Sequence, residues 1–174
     1  MEPLIDKNKA AAILQIGIGV SEADFRVYVL EAQKFDLRER LCEDFFYDLL
    51  KNKAEENYVK LLNGGDYEYQ DREYQSEGLN SVIAYFAYAR FYMNSSGVST
   101  THGIVTKTNP HSQPVSHDEK RNVYYKKRQE ANQIFDQDVV KFIERNIEDY
   151  PLFKCDQECG STTSIKSYKS QIIK

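Results

Sequence analysis

Apolar and polar positions along the chain form helical stripes separated by a few strong stop signals. Asp6 is placed to cap a short helix over residues 7–14, and Gly17 and Gly19 predict a break soon after it. Ser21-Glu22-Ala23-Asp24 reads as the next start, an N-cap serine with acids in the first turn. Phe25, Val29 and Ala32 then recur at helical spacing. Asp36-Leu37-Arg38 interrupts the stripe, and a second helix is expected to run to about Lys51 with Leu41, Phe45, Phe46, Leu49 and Leu50 on one broad face. A short helix over residues 54–62 stops at Asn63-Gly64-Gly65.

The pattern then changes period. Tyr67, Tyr69 and Tyr74 alternate with polar residues around Gln70-Asp71, which predicts a small β-hairpin over residues 67–74. Two strands alone are marginal in water, so this hairpin must lean on helices or on a neighbouring subunit. Residues 76–95 are the most apolar stretch. Between Val82 and Met93 only Arg90 is charged, which predicts a helix buried on all sides. Residues 97–115 form a Ser-, Thr-, Gly-, Pro- and His-rich loop with possible extended pieces at 103–108. Loops of that length in compact domains are usually functional. Ser116-His117-Asp118-Glu119 is a capping box opening a long helix to about Asn146, with Tyr124, Arg128, Ala131, Phe135, Asp138/Val139 and Phe142 along one line. Tyr150-Pro151 ends it. Beyond it lies a polar tail with scattered Ile165, Tyr168 and Ile172. The expected fold is therefore all-α: a helical bundle with a long C-terminal helix, a small β-hairpin and an extended C-terminal arm. The expected domains are 1–152 and 153–174.

Composition narrows the function classes. The chain has 174 residues, thirteen Tyr, nine Phe and no Trp, with a net charge of −4. That balance carries no basic footprint for nucleic acid. No apolar run reaches the ~18 residues needed to span a bilayer. The first residues lack a signal pattern, which leads to an expectation of synthesis in the cytoplasm. Tyr suits surfaces that are buried in an assembly and wet at the edge.

Candidate chemistry is sparse. The three histidines, His102, His111 and His117, fall in or beside the 97–115 loop. Cys155 and Cys159 form a C-x3-C pair with no completing ligands, so neither a metal nor another cofactor is expected. Phosphate-loop, zinc-protease and nucleophile-elbow motifs are missing from the sequence. Glu43-Asp44, Glu55-Glu56, Asp136, Asp138, Glu144 and Glu148 sit among Lys and Arg at helical positions and read as solvated faces. The chain is expected not to be an enzyme. A site assembled from Cys42, His102 or the acids is the rival reading, as is a small helical regulatory or adaptor protein binding one cellular partner.

Several segments in order resemble a family of head–tail connector (adaptor) proteins of tailed phages, found in phages of gut Bacteroidetes including the crAss-like phages. They are Leu30-Glu31-Ala32-Gln33-Lys34-Phe35-Asp36-Leu37 with Leu41 and Phe45-Phe46-Tyr47; Tyr58 with Leu61-Leu62-Asn63-Gly64-Gly65, Tyr67 and Gly78-Leu79; Tyr85-Phe86-Ala87-Tyr88-Ala89-Arg90-Phe91 with Thr100-Thr101, Gly103, Val105 and Lys107; and the helix from Ser116 closing with Asn146 and Tyr150-Pro151-Leu152-Phe153. The resemblance covers residues 25–153. It implies a virion protein forming a homo-oligomeric ring, usually a dodecamer, beneath the portal protein, with further connector or tail proteins as partners. DNA would pass through its lumen without specific binding, and no membrane is involved. It also implies a C-terminal arm docking on the portal, for which Phe153, Ile165, Tyr168 and Ile172 are the candidates. Tyr67, Tyr69, Tyr74, His102 and Val105 are the candidates for contacts between subunits, with the long helix as the second patch.

Overall fold

The computed structural model describes residues 1–17, 19–95, 97–100, 103–106 and 115–153. Among them the chain is mostly helical, with two small antiparallel hairpins. Helix α1 spans Lys7–Ile13, capped by the Asp6 carboxylate, which accepts from the Lys9 amide at 2.7 Å. Helix α2 runs over Glu22–Ala32 from the N-cap Ser21, passes through a π-helical turn at Gln33–Leu37, and continues as Arg38–Leu41. Helices α3 and α4 follow at Glu43–Asn52 and Glu56–Asn63. Hairpin β1 (Gly65–Tyr69) and β2 (Arg72–Ser76) leads into α5 at Gly78–Asn94. Strands β3 (Gly97–Thr100) and β4 (Gly103–Thr106) make the second hairpin. The last helix, α6, covers His117–Ile134, a second π-helical turn at Phe135–Val139, and Val140–Arg145, with a 3-10 turn at Ile147–Asp149 behind it.

Helix α5 is the centre of the fold. It packs against α1, α2, α4 and, most extensively, α6. Its first half is buried on every face, from Leu79 through Ala84, as an all-round apolar helix must be. Its own chain supplies that cover. Only in the second half do Tyr85, Tyr88 and Tyr92 become half-buried. Phe25, Val29 and Ala32 of α2 and Ala131, Val139 and Ile143 of α6 complete the core around it.

The expected interruption at Asp36-Leu37-Arg38 is not a break. The helix widens there by one residue, so that the Arg38 amide donates to the Gln33 carbonyl, and it continues to Leu41. The break falls at Cys42, whose φ of 63° and ψ of 154° no helix accommodates. Residues 97–106 also differ from expectation. Instead of a loop with an extended piece, residues 97–100 and 103–106 are paired antiparallel strands with Val98 opposite Val105. The Gln70-Asp71 hairpin is as expected. Both residues take positive φ, 52° and 57°, as the tightest two-residue connection requires.

Candidate interaction surfaces

Tyr67, Tyr69 and Tyr74 lie on one face of the first hairpin, because residues 67 and 74 are paired across it and residue 69 is two positions along. That face is turned onto the end of α6. The Arg145 guanidinium sits 3.8 Å over the Tyr74 ring and 5.4 Å from the Tyr69 ring, and donates to the Tyr67 hydroxyl at 2.7 Å. Tyr67 also meets Phe142 edge-to-face at 4.9 Å. These three aromatics, expected at a subunit contact, have a partner in their own chain and are half-buried there. The opposite face, with Asp66, Glu68, Glu73 and Gln75, is exposed.

Two carboxylates expected as breaker or solvated face are structural. Asp36, 2% exposed at its side chain, receives the Arg90 Nε at 2.8 Å and an Arg128 amino group at 2.6 Å, joining α2, α5 and α6. Burial alone lowers the Arg90 pKa, yet hydrogen bonding and charge from Asp36 outweigh it and the group is held above its ordinary value. Asp138 accepts from the Glu77 amide at 2.7 Å and from the Ser76 hydroxyl at 3.2 Å. It therefore caps α5 from a different helix. Each of these aspartates is the fourth residue of a π-helical turn. Arg128, and Asp138 beside Val139, on the mostly apolar line of α6 were the sequence signals for these contacts.

The segment after α6 is anchored. The Tyr150 ring contacts Phe45, Tyr58 and Phe142, and its hydroxyl donates to the Asn57 carbonyl at 2.7 Å. Phe153 is 6% exposed and meets the Phe45 ring at 5.4 Å. Phe153, expected at the start of an extended arm, packs instead in the core against α3, which takes its ring out of reach of a partner. Ile165, Tyr168, Ile172 and His102 lie outside the described residues, while Val105 is placed in β4. On either side of Tyr150 the turn projects outward, exposing Ile147 (45%), Glu148 and Asp149 before it and Leu152 (41%) after it.

A groove of about 510 Å³ runs between α2 and α3, with the N-terminal residues Met1 and Glu2 along it. Phe46 and Leu50 floor it, Tyr47 (50% exposed) stands at its edge, and Lys34, Arg38 and Lys53 rim it. Arg38 pairs with Glu43 at 2.5 Å and Lys53 with Glu2 at 2.6 Å. Lys34 has no carboxylate partner among the described residues; its ammonium lies 5.2 Å from the Phe35 ring.

Of the candidates for chemistry, Cys42 stands half-buried at the α2–α3 break and His117 is exposed at the start of α6. Cys155 and Cys159 are outside the described residues. Among the described residues, no group of His, Cys, Asp or Glu is arranged to hold a metal ion, and no helix is long and apolar enough to cross a membrane. The model for DUF6712, a family of unknown function, matches residues 37–163. No curated protein and no solved structure matches the chain.

Proposed function

We propose, from the premise that the chain belongs to the DUF6712 family, that it is a non-enzymatic structural subunit of a phage virion. It forms a homo-oligomeric ring that joins the portal vertex of the head to the tail and extends the DNA channel. The residue segments resembling head–tail connectors span the helices that build the core, and the finer form of the fold is an up-down bundle with residues 154–174 as the portal-directed arm. The observation that carries the reading is a pair of unlike, well-separated surfaces. One is the groove edged by Tyr47, and the other is the anchored turn exposing Ile147 and Leu152. A subunit in a closed ring meets its two neighbours through two different patches, so a ring former must present both. The aromatic residues behind those patches hold them rigid, which lowers the ordering cost of assembly.

Electron microscopy of intact virions tests it. The expected result is ring density fitted by this chain between portal and tail. Virions with portal and tail but none of this chain overturn the proposal.

A further inference from the structure

We infer that the turn after α6 of one copy docks head-to-tail into the α2–α3 groove of a second copy. The inference rests on the ring reading above and names the two surfaces that such a ring would join.

Polarity matches on both sides. The turn offers two apolar side chains, Ile147 and Leu152, flanked by the carboxylates Glu148 and Asp149. The groove offers an apolar floor, Phe46 and Leu50, and a rim on which three cations meet two carboxylates. The unmatched rim charge is that of Lys34, while Glu148 has no cation partner among the described residues. Asp149 lies near Lys60, but that ammonium is already bonded to Glu56 at 2.8 Å. Complementary charge therefore sits beside complementary apolar surface, the arrangement that fixes orientation in an interface.

The two surfaces cannot meet within one copy. Tyr150 and Phe153 attach the turn to α3 at Phe45. Tyr47, at the groove edge, is two residues further along the same helix, roughly 200° around its axis at about 100° per residue. Turn and groove thus face away from each other across α3. A contact between unlike patches on different sides of a subunit is heterologous, and repeating it generates a ring or a filament. Tyr47 and Lys34 at the groove and Ile147 and Leu152 on the turn are exposed in the single chain, and the turn is held by two buried aromatic rings, so docking requires no refolding.

The full-length chain, carrying a photo-cross-linking amino acid in place of Tyr47, is concentrated as an equal mixture of isotopically light and heavy copies, irradiated, and mapped by mass spectrometry. Light-to-heavy cross-links into residues 147–152 are expected. In parallel, sedimentation follows the wild type and two variants, Glu148→Lys/Asp149→Lys and Lys34→Glu/Lys53→Glu, all four sites being exposed or at the rim. Each variant alone should weaken self-association by about tenfold or more, and mixing the two should restore one reversed-charge contact and yield heterodimers. Unchanged helical content by circular dichroism keeps loss of fold out of the comparison. Cross-links that map elsewhere, a mixture that fails to pair, or a chain that stays monomeric as concentration rises each overturn the inference. None of these removes the ring reading, which stands or falls on the virion density.

Discussion

The backbones of Gly64 and Gly78 touch where the first hairpin begins and ends. Each has a positive φ, 70° and 73°, and a Cβ on Gly64 would fall inside the carbonyl oxygen of Ser76, while one on Gly78 would fall inside the amide nitrogen of Gly64. The contact closes α4, both strands and α5 into one unit. Alanine at either position is expected to cost about 2 kcal/mol or more, from backbone strain plus displacement of a neighbouring main chain. Gly65→Ala should cost less, because its φ of 126° is strained but nothing lies within 4 Å of the added methyl. Urea unfolding of the three variants checks the order.

Asp36 holds two arginines from different helices, so its loss should outweigh the loss of either. Asp36→Ala is expected to destabilise by about 3 kcal/mol, leaving two positive groups facing a low-polarity junction. Arg128→Ala should cost less, since Arg90 remains on the carboxylate and the Arg128 side chain is already 30% exposed. A double-mutant cycle between residues 36 and 90 should return a coupling that survives added salt, unlike that of a surface pair.

Burial raises the phenol pKa of both Tyr58 and Tyr150; the Asp48 carboxylate adds to it at Tyr58 and the Asp149 charge at Tyr150. The unfolded chain ionises its tyrosines near ~10. Stabilisation from keeping these two protonated is therefore complete below that value, and it is lost as pH rises toward the folded-state values. Urea unfolding between pH 8 and 11 should show a falling midpoint at the alkaline end. Tyr150→Phe should reduce that slope while costing about 1 kcal/mol at neutral pH through the hydrogen bond to Asn57.

Arg145 is the clamp of the first hairpin. Arg145→Ala should raise amide exchange across residues 65–76 and cost about 1–2 kcal/mol, while α5 and α2 exchange as before. Arg145→Lys should rescue only partly, because an ammonium keeps the charge but loses the planar face that lies over Tyr74.

Features written in adjacent residues were legible in the sequence. The Ser116 hydroxyl accepts from the Glu119 amide at 3.2 Å and the Glu119 carboxylate accepts from the Ser116 amide at 3.0 Å, the capping box expected there. Asp6, Ser21 and the Gln70-Asp71 turn also act within a few residues of themselves. The unread features depend on distance along the chain. Asp36 meets Arg90 and Arg128 across separations of 54 and 92 residues, and Asp138 caps a helix 61 residues before it. A lone aspartate in a stripe looks the same whether it breaks a helix or anchors one. Phe153 was assigned to the arm because the polar tail begins beside it; its burial depends on Phe45, more than a hundred positions earlier. The groove was invisible for a related reason, since its floor and rim come from two helices that the pattern joined in a different place.

The π-helical turn at Phe135–Val139 sets the angular phase of everything after it. One additional residue within the helix rotates its continuation by roughly 100° relative to an unbroken spiral. Phe142, Arg145 and the anchored turn beyond them point where they do because of that offset. Removing one residue there would leave a helix of ordinary geometry and good propensity, yet its last two turns would present the wrong side to the hairpin. The two ends of the long helix are in this sense geared separately, one to the bundle and one to the first hairpin.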